Sequence, residues 1–354
     1  MEAQDSSSFY IAEESSLPFP ESLPEFQRLF PDETACAKYL ERARWPDGFE
    51  CPRCKTKGEP FRFANRPHVL RCRKRACHEN TRLTAGTVME KTHIPLSVWF
   101  WGAYLMTSQT QGMSAVQFQR QLGLSRFETA FQILHKLRAA MIRTNQDLIG
   151  GEDDDHVEVD EAWMGGKTRG KGHGVTDQIL VSGAVEVRWR KGKSQLSKRR
   201  SGRYAGRVRL AVVPDRSRES LCGFVQNAVK PNTMVVTDGW RAYKGLEALG
   251  FKPIAFPANG DPEVTEENLP IIHLVFSNLK TWIRGIHHGV SPKHLQAYLN
   301  EFSFRFNRRF YPFNAFASLL GIAGGVPSPT NEGLYSGEWE HPSCITRQQL
   351  TTGF

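Results

Sequence analysis

The sequence has no apolar run long enough to cross a membrane, since a spanning helix needs about 20 consecutive apolar residues. Its richest apolar stretch, residues 98–106, falls short of that length. The N-terminal residues contain neither a basic nor an apolar segment, so they predict no secretory signal. The sequence therefore predicts neither a membrane protein nor a secreted one, and we expect a cytoplasmic protein.

Cysteine is sparse, and acidic residues are outnumbered by basic ones. The seven cysteines lie in a chain with no predicted export signal, which argues against a disulfide framework, and their clustering indicates a metal site instead. The 46 lysines and arginines exceed the 37 aspartates and glutamates, which gives a net charge of +9 and predicts a nucleic-acid partner. The length of 354 residues allows two or three domains.

Four of the cysteines form two pairs. Cys51 and Cys54 are the first pair, and Cys72 and Cys77 follow after an insert the length of a hairpin. Two such pairs can place four thiolates around a zinc ion in a closed tetrahedral site, which has no open position for chemistry. His78 directly follows Cys77, so either residue can be the fourth ligand. The spacing therefore predicts a structural zinc ribbon.

A pair of helices is predicted after the cysteines. A short helix over 114–121 is followed by a turn at Gly123, and Ser125 is placed to cap a longer helix that runs to about Arg143. This layout is typical of a helix-turn-helix, whose second helix enters the major groove of DNA. An ordinary helical hairpin is the alternative.

Two β-branched runs each end in an aspartate, Asp160 and Asp238. Each run predicts a buried strand that brings a carboxylate to the edge of a sheet. Rigidly held carboxylates are the ligands required by a phosphoryl-transfer site with two divalent ions about 3.5–4 Å apart. The simpler alternative is that each aspartate only caps a turn.

Basic side chains that we expect to contact DNA phosphates occur at four places in the chain. They lie beside the second cysteine pair, on the second helix of the predicted helix-turn-helix, in a dense basic segment over 188–207, and at the end of the last predicted helix. The segment 188–207 can also be a solvated hairpin tip, but like charges at this density repel one another unless a polyanion is present. The residues are Arg73, Lys74, Arg75, Arg126, Lys136, Arg138, Lys198, Arg199, Arg200, Arg308 and Arg309.

The order of motifs along the chain resembles a known family. The motifs are a CPxC zinc ribbon, a helix-turn-helix, VEVDEAWMGGK at 157–167, VVTDGW at 235–240, and HLVFSNLKTWIRGIHHGVSPKHLQAYLNEFSFRFNRR at 273–309. Over about residues 26–320 the chain is similar to bacterial insertion-sequence transposases with an RNase H-like catalytic domain. The resemblance implies an α/β protein in which a zinc ribbon and a helix-turn-helix precede an RNase H-like mixed sheet with flanking helices.

The resemblance also implies a DDE-type polynucleotidyl transferase, in which two aspartates and a third acidic ligand hold two Mg²⁺ ions. Carried over by position, Asp160 and Asp238 are the first two ligands, and the third lies seven residues before Lys280, which gives His273. A neutral imidazole can bind a divalent ion, although it suits Mn²⁺ better than Mg²⁺. The alternatives are that His273 only packs in the first turn of its helix, or that the ligand is Asn278, Glu263, Glu266 or Glu267.

We expect a DNA transposase that binds terminal inverted repeats and catalyses metal-dependent strand cleavage and transfer to target DNA. It would act in the cytoplasm on the nucleoid, as a homo-oligomer in the synaptic complex. The alternatives are a catalytically inactive, transposase-derived DNA-binding regulator and an RNase H-type nuclease. The expected segments are an acidic arm over 1–25, a helix with the zinc ribbon over 26–92, the helix-turn-helix module over 93–147, the catalytic domain over 156–311 with its basic insertion over 188–207, and a tail over 312–354.

Overall fold

The structure is a computed structural model that describes residues 17–142, 146–151, 156–165, 178–189, 202–257, 264, 267–323 and 330–336. The chain divides into two units. The first is Met1–Thr110 with Tyr311–Ser328, and the second is Gln111–Phe310 with Pro329–Phe354. Within the described ranges, no helix is both long enough and apolar enough to span a bilayer.

The helices and strands follow one another without long interruptions. The helices are α1 (Leu23–Leu29), α2 (Glu33–Arg44), α3 (Leu96–Ser108), α4 (Ala115–Gln121), α5 (Phe127–Ala139), α6 (Arg218–Ala228), α7 (Pro270–His287), α8 (Leu295–Asn307), α9 (Phe313–Ala323) and α10 (Asn331–Ser336). The strands are β1 (Phe61–Phe63), β2 (Arg66–Arg71), β3 (Asn80–Arg82), β4 (His156–Met164), β5 (Ile179–Trp189), β6 (Arg203–Val212), β7 (Met234–Thr237) and β8 (Lys252–Ala255).

The first unit is built around an aromatic core. Phe26 of α1, Tyr39 of α2, Phe100 of α3 and Phe316 of α9 are buried, with ring centroids no more than 6.0 Å apart where they touch. Burying each of these side chains contributes about 1.5–3 kcal/mol. Glu33 ties two helices together, because its carboxylate accepts hydrogen bonds from the first amides of α3, both at 2.8 Å. This unit also carries the antiparallel sheet β1-β2-β3.

The second unit contains a five-stranded mixed sheet in the order β6-β5-β4-β7-β8. The strands β6, β5 and β4 are antiparallel, whereas β4, β7 and β8 are parallel. One face packs against α6 and a short 3₁₀ helix at Arg241–Gly245, and the other face packs against α7 and α8. The mixed sheet with flanking helices confirms the α/β prediction.

The predicted helix-turn-helix segment 93–147 is shared between the two units. The helix α3 is apolar on most sides and packs in the aromatic core of the first unit. The helices α4 and α5 belong to the second unit, where α5 packs against α8. The N-cap position of α5 is Arg126 and not Ser125, and no side chain caps it. Gly123 forms the turn before α5 with a φ of 61°, which suits glycine.

The residues next to α7 in the sequence do not cap its start. Asn268 is of a type that commonly caps helices, but its side-chain amide donates to the carbonyl oxygen of Val264 at 2.8 Å. The first amides of α7 are instead capped from the sheet, since Oε2 of Glu158 accepts from Ile271 at 2.9 Å and from Ile272 at 2.8 Å. A carboxylate at this position also interacts favourably with the positive end of the helix dipole. Strand β4 therefore fixes the first turn of α7.

Candidate active site and zinc site

The four predicted zinc ligands come together in the first unit. Their sulfur atoms all lie within 4.8 Å of one another, with Cys51 and Cys77 at 3.8 Å and Cys54 and Cys72 at 3.7 Å. Tetrahedral zinc with Zn–S distances of about 2.3 Å requires sulfur atoms about 3.8 Å apart. His78 is exposed and outside the cluster, so Cys77 is the fourth residue of the site.

The environment of Cys54 favours its thiolate. Hydrogen bonds of Cys54 with the side chain and the backbone of Thr56 lower the pKa of Cys54 to about 6. A thiolate is the form that binds zinc. Four thiol ligands with no water or carboxylate among them form a closed site, which stabilises the fold and performs no chemistry.

The two predicted catalytic aspartates lie side by side in the second unit. Strands β4 and β7 are parallel and pair Val157 with Val235 and Glu158 with Val236, so the same register places Asp160 beside Asp238. Asp238 directly follows the end of β7, as the sequence predicts. Asp160 does not end its strand, because β4 continues to Met164 along its other neighbour, β5. Both aspartates are therefore accessible at the point where β7 ends, because β4 continues beyond it.

The surroundings of Asp238 disfavour an isolated negative charge. Burial raises the pKa of Asp238, the amide of Trp240 opposes that shift by donating to Oδ1 at 2.9 Å, and the charge of Asp160 adds to it. Two carboxylates that repel each other in a partly buried place are stabilised by a cation between them. The donor set therefore suits a hard divalent ion.

Glu161 is a third carboxylate in this cluster, which the sequence analysis did not single out. One oxygen each of Asp160, Glu161 and Asp238 lie within 4.8 Å of one another. Glu161 already has two partners, because Tyr243 donates its hydroxyl to Oε2 at 2.7 Å and Arg216 donates Nε–H to Oε1 at 2.6 Å. Burial raises the pKa of Glu161, and these two partners oppose that shift. The adjacent acidic pair in the sequence was the only available signal.

His273 is the predicted third ligand, and it lies beside the first. Its Nε2 is 3.1 Å from Oδ2 of Asp160. The residue is in the first turn of α7, the turn that Glu158 holds against the sheet. Burial raises the pKa of Glu158 to about 7, although the two α7 amides oppose the shift.

The alternatives to His273 are less well placed. Asn278 is exposed, five residues further along α7 and therefore about 140° round the helix from His273. Lys280 is partly buried two turns beyond His273 and on the same side of α7. Neither Glu267 nor His273 belongs to the carboxylate cluster, but His273 contacts Asp160. Glu263 and Glu266 lie outside the described residues.

One expected DNA contact is wrong. Arg138 was expected to face DNA from the second helix of the helix-turn-helix, but its side chain is only 1% exposed. Its Nε donates to Oε2 of Glu301 at 2.8 Å, and its guanidinium lies 4.1 Å from the ring centroid of Tyr298. The charge is buried because α5 packs on α8, which a helical pattern in the sequence does not reveal.

The other expected DNA contacts differ in accessibility. The three basic residues beside the second cysteine pair are exposed, Arg126 is exposed beside Glu128, and Lys136 is partly buried. Arg308 and Arg309 donate to backbone carbonyls and stack on aromatic rings, so part of each guanidinium already has partners within the protein. Lys198, Arg199 and Arg200 lie outside the described residues. The exposed residues are Arg73, Lys74, Arg75 and Arg126.

Comparison with known proteins agrees with this geometry. Residues 152–307 match the family model for the ISXO2-like transposase domain, and residues 31–80 match that for the transposase zinc-ribbon domain. Neither the curated proteins nor the solved structures that were searched give a match to the chain. A mixed sheet with paired strand-edge aspartates and a match to this domain define a DDE-type transposase catalytic domain with an RNase H-like fold. With its zinc ribbon, the chain is an insertion-sequence transposase.

Proposed function

We propose that this transposase binds the terminal inverted repeats of its own element and cuts and joins DNA strands at the site around Asp160 and Asp238. The observation that carries the proposal is the close approach of these two carboxylates, which two parallel strands hold in register. A rigid pair of this kind is suited to bind divalent ions.

The ligands we propose are Asp160, Asp238 and His273, for two Mg²⁺ or Mn²⁺ ions. Neighbouring ligands of an octahedral ion with bonds of about 2.1 Å lie about 3 Å apart, and Nε2 of His273 is 3.1 Å from Oδ2 of Asp160. Imidazole suits Mn²⁺ better than Mg²⁺, so we expect a preference for Mn²⁺. Glu161 is not proposed as a ligand, because Tyr243 and Arg216 occupy both of its oxygens.

The protein contributes mainly position and charge to the reaction. Divalent ions held at this site would activate the attacking oxygen and stabilise the leaving oxygen. In the first reaction a water oxygen bonds to the phosphorus at the transposon end, and the bond from phosphorus to the 3′ oxygen breaks and leaves a 3′-OH. In the second reaction that 3′-OH attacks a target phosphorus and releases the 3′ oxygen of the target strand. Lys280 lies on the His273 side of α7 and would hold a DNA phosphate.

The remaining surfaces would bind the DNA ends. The zinc ribbon presents exposed Arg73, Lys74 and Arg75, and the start of α5 presents Arg126. Basic side chains of this kind bind phosphates and position the protein on the duplex. We propose that transposon ends and target DNA are held by a homo-oligomer in the synaptic complex, on the nucleoid in the cytoplasm.

The test uses a duplex that carries the terminal repeats taken from the DNA that flanks the gene. Strand cleavage and strand transfer are measured in Mg²⁺ and in Mn²⁺ for the unaltered protein, Asp160→Asn and Asp238→Asn. We expect both variants to lose cleavage while they keep end binding, since Asn preserves the shape of the side chain.

Three outcomes contradict the proposal. Full cleavage by Asp238→Asn would refute the ligand assignment. End binding by the unaltered protein without cleavage in either ion would indicate an inactive DNA-binding regulator. Cleavage of RNA strands or branched DNA without strand transfer would indicate an RNase H-type nuclease.

A further inference from the structure

Arg216 lies at the edge of the carboxylate cluster, in the connection between β6 and α6. Its Nε donates to Oε1 of Glu161 at 2.6 Å, and its Nη2 pairs with the same oxygen. Its guanidinium lies 4.3 Å from the ring centroid of Trp240, whose indole Nε1 donates to the carbonyl oxygen of Arg216 at 3.3 Å. Two contacts with Glu161 and one with the Trp240 ring therefore hold the Arg216 side chain.

The residues that hold Arg216 also belong to the catalytic cluster. Glu161 directly follows Asp160, and the amide of Trp240 donates to Oδ1 of Asp238 at 2.9 Å. The Glu161 carboxylate has an oxygen within 4.8 Å of carboxylate oxygens of both aspartates. Because Glu161 contacts the guanidinium directly, Arg216 is placed next to the cluster.

The two members of this ion pair differ in exposure. The Glu161 side chain is 2% exposed, whereas the Arg216 side chain is 38% exposed. A guanidinium has five N–H donors, and Glu161 uses two of them. Within the described part of the chain, no other acceptor contacts the remaining donors. The remaining donors of Arg216 are therefore open to solvent or to a ligand.

A fixed cation at the edge of this cluster suits a site that binds DNA. It attracts a phosphodiester strand and adds to the positive charge of any divalent ions that the carboxylates hold. Arginine suits this role because its planar fork can donate two parallel hydrogen bonds to one phosphate.

We propose that Arg216 is a substrate-contact residue whose guanidinium binds a DNA phosphate next to the scissile bond. Glu161 and Trp240 act as positioning residues that hold the guanidinium in place. The inference rests on the proposed function, since it assigns a contact to the strand that is cut.

The experiment couples a protein change to a single change in the DNA. Each phosphate flanking the cleavage position is replaced, one at a time, by a neutral methylphosphonate, and single-turnover cleavage is measured with the unaltered protein and with Arg216→Gln. We choose Gln because it keeps a donor for Glu161 but loses the charge and the fork. We expect Arg216→Gln to slow cleavage by roughly 10²-fold, the usual effect of removing one donor to a transition-state charge.

The decisive result is a loss of additivity at one position. At the contacted phosphate, methylphosphonate should slow the unaltered protein strongly but should slow Arg216→Gln little further. Arg216→Lys keeps the charge without the fork, so it should lie between the two and show partial coupling at the same position. If Arg216→Gln does not fold, as judged by circular dichroism, the Lys variant alone decides the question.

Arg241 provides a matched control. It lies over the same Trp240 ring, at 5.5 Å from the centroid, and it is exposed. It has no carboxylate partner among the described residues. Arg241→Gln should be additive with every methylphosphonate.

The outcomes separate the two proposals. Additivity of the Arg216 variants at every position overturns the contact assigned to Arg216, while cleavage by the unaltered protein still stands. Absence of cleavage by the unaltered protein overturns the proposed function itself.

Discussion

The buried ion pair between Arg138 and Glu301 gives the sharpest stability prediction. Their side chains are 1% and 0% exposed and 2.8 Å apart. Replacing Arg138 by Met removes the positive charge and leaves the carboxylate of Glu301 in the core, which typically costs 3–5 kcal/mol. The contact with the Tyr298 ring is lost as well.

The second cation near Glu301 limits this cost. Nη1 of Arg305 lies 3.7 Å from Oε1 of Glu301 and remains in the variant. We therefore expect Arg138→Met to lower the free energy of unfolding by about 3 kcal/mol, the lower end of the range for a broken buried pair. The double variant Arg138→Met with Glu301→Leu should recover part of that loss, because no carboxylate is then left in the core, although Arg305 loses its contact with Glu301.

The assay is urea unfolding of the full chain, with hydrogen exchange of peptides from α5 and α8 as a local measurement. Arg126 is a control at the start of the same helix, α5. It is paired with Glu128 at 3.6 Å, and its side chain is 75% exposed. Arg126→Met should therefore change stability by less than about 1 kcal/mol. Equal effects of Arg126→Met and Arg138→Met, with unchanged exchange in α5, would refute the reasoning.

Three further predictions concern the metal sites and pH. Changing Cys51 and Cys54 to Ser should remove one zinc ion per chain and unfold the ribbon while DNA-end binding weakens; metal analysis that finds no zinc in fresh protein contradicts this. His273→Ala should lose cleavage as severely as Asp238→Asn, His273→Glu should shift the preference toward Mg²⁺, and Asn278→Ala should be mild; normal cleavage by His273→Ala contradicts the assignment. The raised pKa of Glu158, about 7 against an ordinary 4.5, means that the folded protein holds a proton that the unfolded chain releases. The free energy of unfolding should therefore fall by about 3 kcal/mol from pH 4.5 to 7. Denaturation of the metal-free Glu158→Gln variant across this range should show a flatter profile.

Local patterns predicted the residues whose role depends on nearby sequence. The spacing of the four cysteines is sufficient for a zinc ribbon. A β-branched run followed by an aspartate is sufficient to predict a strand that carries a carboxylate, although β4 continues past Asp160 to Met164. Two such runs gave Asp160 and Asp238 without any knowledge of the sheet order. The resemblance to transposases added His273, which the structure places 3.1 Å from Asp160.

The errors came from contacts between distant residues. Arg138 and Glu301 are 163 positions apart, so the helical pattern of α5 showed a basic residue but not its partner. Glu158 caps a helix 113 positions away, and no local pattern in the sequence connects the two. Arg216 has no local signal at all, because its importance depends on Glu161 and Trp240, which other elements supply.

The cap that Glu158 places on α7 affects how this protein can vary. The first turn of α7 takes its position from strand β4, so the chain between β8 and α7 does not set the place of His273. Lengthening a connection between two fixed elements costs little, only about 0.6 kcal/mol for each doubling. The spacing between Asp238 and His273 along the sequence can therefore vary, and insertions between β8 and α7 should leave the positions of Asp160, Asp238 and His273 unchanged. The two-position spacing from Glu158 to Asp160 has no such freedom, because one strand must carry both the helix cap and the first proposed ligand.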